Sequence, residues 1–185
     1  YLVMDFVDGE SLAQRLRGDQ VSPRQVAHWM QQIAEALQHA HEAGVIHRDL
    51  KPANVLIDRT DCALLVDFGL VRDLDASEQL TVTGEVLGTL SYMSPEQASG
   101  RVDEIDGRSD VYSLGVILYE MLTYRSPYQA RGRKMLLHQV AMGAFLPPSE
   151  RVPGGNLPAE LEAVVLKAMA RRREERYPDV ASLQA

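Results

Sequence analysis

The chain has 185 residues, 45% of them apolar, which suits one folded domain or a large piece of one and excludes a disordered polypeptide. Lys and Arg total 19 against 26 for Asp and Glu, and the resulting net charge of −7 repels a phosphate backbone, arguing against nucleic acid as a partner. The one cysteine, Cys62, excludes an intrachain disulfide and fits a reducing, cytoplasmic setting.

In chain order, Tyr1 to Val7 is a short apolar run bounded by Asp8-Gly9 and reads as a strand entering a turn; with no initiating methionine ahead of it, the start reads as a cut through a larger protein. Glu10 to Arg17 predicts a short helix stopped by Gly18. The next helix is the best marked, with Ser22 as N-cap, Pro23 at the first helical position, Gln25 completing a capping box and Gly44 at the end. Val26, Met30, Ile33, Leu37 and Ala40 recur along one face with Trp29 beside them, which predicts core. Val55-Leu56-Ile57 and Ala63-Leu64-Leu65-Val66 read as a small hairpin with functional loops at its ends. No period holds from Arg72 to Gly107, and a stretch that long in a domain signals function or regulation.

Arg108 to Thr123 is apolar almost all round and predicts a helix buried in the middle of the domain. Its densest part, Val111 to Leu122, contains Ser113 and Glu120 and is shorter than the roughly 20 residues that span a bilayer, so no membrane contact is expected within this segment. Helices follow at about Arg133 to Met142 and Pro158 to Arg172, the second with Leu161, Val164, Val165, Ala168 and Met169 on one face. A last one opens at Pro178.

Positions 47 to 54 read His47-Arg48-Asp49-Leu50-Lys51-Pro52-Ala53-Asn54, and Asp67-Phe68-Gly69 follows after the hairpin. In this order the two runs resemble the catalytic loop and metal-binding motif of protein kinases. Phosphoryl transfer asks for cations on phosphate oxygens, an acceptor for the incoming hydroxyl's proton and accurate positioning. The resemblance therefore implies Asp49 as catalytic base, Asn54 and Asp67 as holders of Mg²⁺ on ATP, and Lys51 as the charge neutralising the group in flight. His47 and Phe68 are implied as stacked structural side chains. His39 and His41 lie near His47 but lack a matching ligand set for a metal.

Further matches extend the likeness. Gly88-Thr89 and Ser94-Pro95-Glu96 resemble the substrate-seating loop and its Ala-Pro-Glu-type anchor, with Ser94 in place of Ala, and Glu96 is expected to pair with Arg176 as a buried ion pair. Asp110, at the start of the buried helix, suits either simple capping of free N–H groups or, by resemblance, bonds to the backbone around His47 and Arg48. Lys51 and Thr89 resemble the Ser/Thr-specific pattern, so the acceptor is expected to be an aliphatic hydroxyl. Arg48 directly before Asp49 offers a fork for a phosphate, with Thr81 and Thr83 as the candidate phosphorylation sites. Tyr1 to Val7 resembles the last small-lobe strand and hinge: Met4 as gatekeeper, the backbone of Asp5 and Val7 toward adenine, Leu56 beneath the ring.

The implied fold class is α+β, a mainly helical kinase C-terminal lobe whose hairpin carries the catalytic and metal-binding loops. On this reading residues 1–185 form a partial kinase domain, 1–7 the last small-lobe strand and hinge, and 67–96 the activation segment. The sequence contains no Gly-x-Gly-x-x-Gly run and no small-lobe lysine strand, so a missing small lobe joins Ser/Thr-bearing protein substrates among the expected partners, and the isolated segment is expected to be inactive. The likeness is strongest to bacterial, eukaryotic-like Ser/Thr kinases, cytoplasmic as a domain and compatible with a membrane anchor elsewhere in a longer protein. The alternative is a stand-alone lobe or pseudokinase acting as a binding scaffold.

Overall fold

A computed structural model describes residues 6–18, 20–68, 88–154 and 157–184. Residues 1–5, where most of the expected hinge strand falls, lie outside them. Local sequence rules set the first long helix. In α2 (Pro23–Glu42) Ser22 Oγ accepts from Gln25 N at 3.3 Å while Gln25 Oε1 accepts from Ser22 N at 3.3 Å, closing the capping box. Gly44 ends it at φ 77°, where Gly44 N donates to His41 O and Val45 N to Ala40 O. That left-handed turn favours glycine. Val26, Trp29, Met30, Ile33, Ala34 and Leu37 are buried along the predicted face, and Ala40 is half-buried.

The helix expected over Glu10 to Arg17 is shorter than its pattern suggests. Gly9–Ser11 forms strand β1 instead, and α1 spans only Leu12–Arg15, capped by Ser11. The edge of β2 (Val55–Asp58) captures those three residues, with Gly9 opposite Asp58 and Ser11 opposite Leu56. Strand β3 (Ala63–Leu65) pairs on the other side, Val55 opposite Leu65, giving an antiparallel sheet in the order β1-β2-β3. Asp58 shapes the hairpin loop by accepting from Thr60 N at 2.8 Å and Cys62 N at 2.9 Å. Trp29 Nε1 then ties the loop to α2 by donating to Asp61 Oδ1 at 3.1 Å.

The aperiodic stretch contains α3 (Pro95–Ala98), set by a second Ser-Pro capping box on Ser94 and Gln97. Helix α4 (Gly107–Thr123) follows, and every residue from Ser109 to Tyr119 is buried. It begins one residue earlier than its apolar run because Asp106 caps it, accepting from Arg108 N at 2.9 Å. Helices α5 (Arg133–Met142), α6 (Pro148–Arg151), α7 (Ala159–Ala168) and α8 (Ala181–Gln184) complete the described chain. Helix α7 stops four residues short of the expected Arg172, because the carbonyls of Ala170 and Arg171 turn inward to accept from Arg176 at 2.8 and 3.1 Å. Helix α8 starts after Pro178, where Asp179 Oδ1 accepts from Ser182 N at 2.7 Å.

Among the described residues no helix is long and apolar enough to cross a membrane. The core forms around α4, whose close neighbours are α2 and α7. Gly115 is the point of closest approach to α7: a Cβ there would lie 2.8 Å from Ala168 Cβ and 2.9 Å from Met169 Cγ. Alanine raises intrinsic helix propensity by about 1 kcal/mol over glycine. Gly115→Ala should nevertheless destabilise the protein by about 1–3 kcal/mol through overpacking. Denaturant unfolding followed by the fluorescence of Trp29, the chain's one tryptophan, measures it, and a stabilised variant would contradict the contact.

Candidate active site

Two non-glycine residues with left-handed backbone bracket the site, Arg48 at φ 63° and Asp67 at φ 59°. Each such residue costs about 1–2 kcal/mol and persists only where its surroundings hold it. At Arg48 the holder is Asp110. Its Oδ2 accepts from His47 N at 2.8 Å and its Oδ1 from Arg48 N at 2.9 Å. His41 Nε2 lies 2.8 Å from Oδ2, and because a carboxylate only accepts, that nitrogen carries the proton. Asp110 is fully buried. Its carboxylate serves the loop, and capping of α4 falls to Asp106.

Beyond the Arg48 turn, Asp49 N donates to His47 O at 2.8 Å. Lys51 Nζ donates to Asp49 Oδ2 at 2.8 Å, with the lysine side chain 14% and the aspartate 31% exposed. A 3₁₀ turn over Pro52–Asn54 then brings Asn54 back toward Asp49, so that Asn54 Nδ2 donates to Asp49 O at 2.8 Å and to Oδ2 at 3.4 Å. The structure thus gathers Asp49, Lys51 and Asn54 at one place.

Asp67 is attached to the same place through the backbone. Val66 N donates to Asn54 O at 3.0 Å. His47 Nε2 donates to Val66 O at 3.2 Å, since a carbonyl only accepts. The His47 and Phe68 rings lie 4.9 Å apart at 44°. Asp67 is therefore held by its neighbours on both sides, while its own side chain is exposed. His47 is buried and its Nδ1 has no partner among the described residues.

The donor set suits a hard cation. Asn54 commits its side-chain nitrogen to Asp49, so its oxygen is the atom left to meet a metal, and Asp67 adds an exposed carboxylate. Magnesium is held by one or two such oxygens, with phosphates and water completing the shell. Among the described residues no group of three or more His, Cys, Asp and Glu could hold a metal by itself.

A second buried assembly anchors α3. Arg176 meets Glu96 with two parallel bonds, Nη1 to Oε1 at 2.8 Å and Nη2 to Oε2 at 2.9 Å. Ser109 Oγ donates to Glu96 Oε1 at 2.7 Å, and Arg176 lies 4.8 Å over the Tyr112 ring. Burial raises the Glu96 pKa, but the hydrogen bonds from Arg176 and Ser109 outweigh it and hold the carboxyl at about 2.

Of the other expected residues, Leu56 is half-buried on β2, Val7 and Thr89 are half-buried, and Arg48 is exposed. Met4, Asp5, Thr81, Thr83 and Gly69 lie outside the described residues. Three participants escaped sequence reasoning: Asp106, His41 and Gln97, whose Nε2 donates to Arg48 O at 2.8 Å. Helical spacing places His41 near the end of α2, but nothing local announces that it meets Asp110.

A strained loop joining an aspartate, a lysine and an asparagine, set beside a strand end that carries a second aspartate, is the arrangement of phosphoryl-transfer kinases. The protein kinase domain model matches residues 1–177, and the chain belongs to the protein kinase family. It is 41% identical over 186 residues to serine/threonine-protein kinase PknB of Mycobacterium leprae, covering 100% of this chain and 29% of that protein. To PknB of Mycobacterium tuberculosis it is 41% identical over 187 residues, again 100% of this chain and 29% of the relative. A probable serine/threonine-protein kinase of Corynebacterium efficiens is 42% identical over 189 residues, 100% and 28% of the two chains. The chain thus spans under a third of the length of these curated relatives.

The Glu96 shift sets a pH dependence. A carboxyl whose folded value lies below its ordinary 4.5 contributes stability that is complete above 4.5 and is lost as pH falls toward 2. Glu96→Gln leaves the Arg176 charge buried without its partner and should cost about 3–5 kcal/mol at neutral pH. Unfolding measured across the acid range should show that difference shrinking below pH 4.5.

Proposed function

We propose that this chain supplies the catalytic part of a Ser/Thr protein kinase, transferring the γ-phosphoryl group of ATP to serine or threonine hydroxyls of proteins. The observation that supports it best is the convergence of Lys51 Nζ and Asn54 Nδ2 on Asp49, within a backbone turn that Asp110 holds in a strained form. Positioning is most of what phosphoryl transfer requires of a protein.

Asp49 would take up the proton of the substrate hydroxyl and orient its oxygen. Lys51, already paired with that carboxylate, would set charge beside the group being transferred. Thr89 would steady Asp49 and Lys51 from the substrate side. Asn54 and Asp67 would hold Mg²⁺, which when bound neutralises phosphate charge and bridges the nucleotide's oxygens. Residues 1–7 would act as last small-lobe strand and hinge, with Met4 as gatekeeper, the backbone of Asp5 and Val7 toward adenine and Leu56 beneath it. A small lobe with a glycine-rich loop and a lysine would complete the nucleotide site.

Residues 67–96 would form the activation segment. Arg48 has an exposed side chain, and no acidic side chain among the described residues pairs with it. That leaves its guanidinium available to a phosphate on Thr81 or Thr83, which would order the segment by charge-assisted hydrogen bonds.

In the full-length protein, Asp49→Ala should lower turnover by at least roughly 10²- to 10⁴-fold, the share of a positioned base. A near-normal rate in a radiolabelled phosphoryl-transfer assay would refute its role. Phosphopeptide mapping of active enzyme should find phosphate on Thr81 or Thr83; both threonines unmodified in fully active protein would remove the regulatory assignment.

A further inference from the structure

The Arg48–Asp49 peptide is pinned at both ends, and one of the pins is a side chain from another element. Its N–H, on Asp49, donates to His47 O at 2.8 Å. Its carbonyl, on Arg48, accepts from Gln97 Nε2 at 2.8 Å. Gln97 sits in α3, where its Oε1 also accepts from Ser94 N at 2.9 Å and from Ser94 Oγ at 3.1 Å.

Only one orientation of the amide satisfies this network. Ser94 N is a pure donor and must meet the oxygen, whereas Arg48 O is a pure acceptor and must meet the nitrogen. A capping box alone accepts glutamate and glutamine alike. At Gln14 and Gln25, the matching positions of α1 and α2, the box is the role the structure gives the side chain. At Gln97 a glutamate would still close the box but would set an oxygen against the Arg48 carbonyl. The amide is required by the contact across to the loop, not by the helix.

Because Asp110 fixes the Arg48 N–H, relaxing Arg48 from φ 63° by rotation about its N–Cα bond would turn the Arg48–Asp49 peptide and swing the Asp49 side chain with it. We infer that Gln97 is a positioning residue: its amide locks the Arg48–Asp49 peptide and makes the orientation of Asp49 conditional on the seating of α3. The inference rests on the proposed role of Asp49. It also deepens that reading, because α3 closes the proposed activation segment and is itself held by the Glu96–Arg176 pair.

The test compares Gln97→Glu with Ser22→Ala in the full-length protein. Ser22→Ala weakens the α2 capping box far from the loop and reports what a loss of stability alone does to the rate. Gln97→Glu should lower kcat by about 10- to 100-fold, in line with the cost of misplacing a catalytic group. The KM for ATP and the Tm should change little, and amide hydrogen exchange over residues 47–50 should quicken. Ser22→Ala should lower Tm while leaving kcat and that exchange as in the parent. Parent-like kcat and exchange in Gln97→Glu would overturn the inference, as would a loss of activity that merely follows a fall in Tm. Asp49→Ala run alongside separates the failures: if it too retains the parent rate, the function assigned to Asp49 has failed, and if it is inactive while Gln97→Glu is normal, only the Gln97 assignment has.

Discussion

The rest of this structure depends on one buried carboxylate. Asp110 lies in the first turn of α4, the helix around which the core forms, and its two oxygens accept from His47 N, Arg48 N and His41 Nε2. A buried charge is tolerated only when its lone pairs are taken, and here two are taken by backbone N–H groups of a loop more than 60 residues earlier in the chain. Satisfying Asp110 and straining Arg48 are therefore the same event. If the loop let go, the carboxylate would lose partners in a place water does not reach. The arrangement transmits the rigidity of the most buried helix to the turn that carries Asp49.

The elements legible in the sequence were those whose determinants are local. Ser22, Pro23 and Gln25 specify the start of α2 within four residues, and Gly44 specifies its end. The hairpin of β2 and β3 was readable because Asp58 builds its own turn. Strand β1 was not: Gly9-Glu10-Ser11 has poor strand propensity and becomes extended only because β2 offers an unpaired edge. The end of α7 was likewise set from outside, by a guanidinium that takes the carbonyls of Ala170 and Arg171 out of helical register.

The candidate site divides the same way. Asp49, Lys51, Asn54 and Asp67 are recognisable because their type and spacing match the protein-kinase motifs. Glu96 and Arg176, 80 residues apart, could be paired only through the resemblance. His41 and Gln97 were missed for a common reason. Gln97 answers a main-chain carbonyl, which leaves no residue-type signature, and His41 answers a carboxylate whose other partners are main-chain amides.

The Glu96–Arg176 pair raises a further question of energetics, because a buried ion pair is weak support for stability when a well-packed apolar group could fill the same space. Its value here is geometric. Beyond Glu96, Arg176 donates to the carbonyls of Arg108, Ala170 and Arg171, so a single planar fork ties α3 to the start of α4 and to the turn after α7. An apolar replacement could fill the volume without fixing that orientation. Glu96 is the neighbour of Gln97, and a small rotation of α3 would move the Gln97 amide away from the Arg48 carbonyl. Retaining a costly charge pair at this point makes physical sense if what must be held is the angle of a four-residue helix that is too short to hold itself.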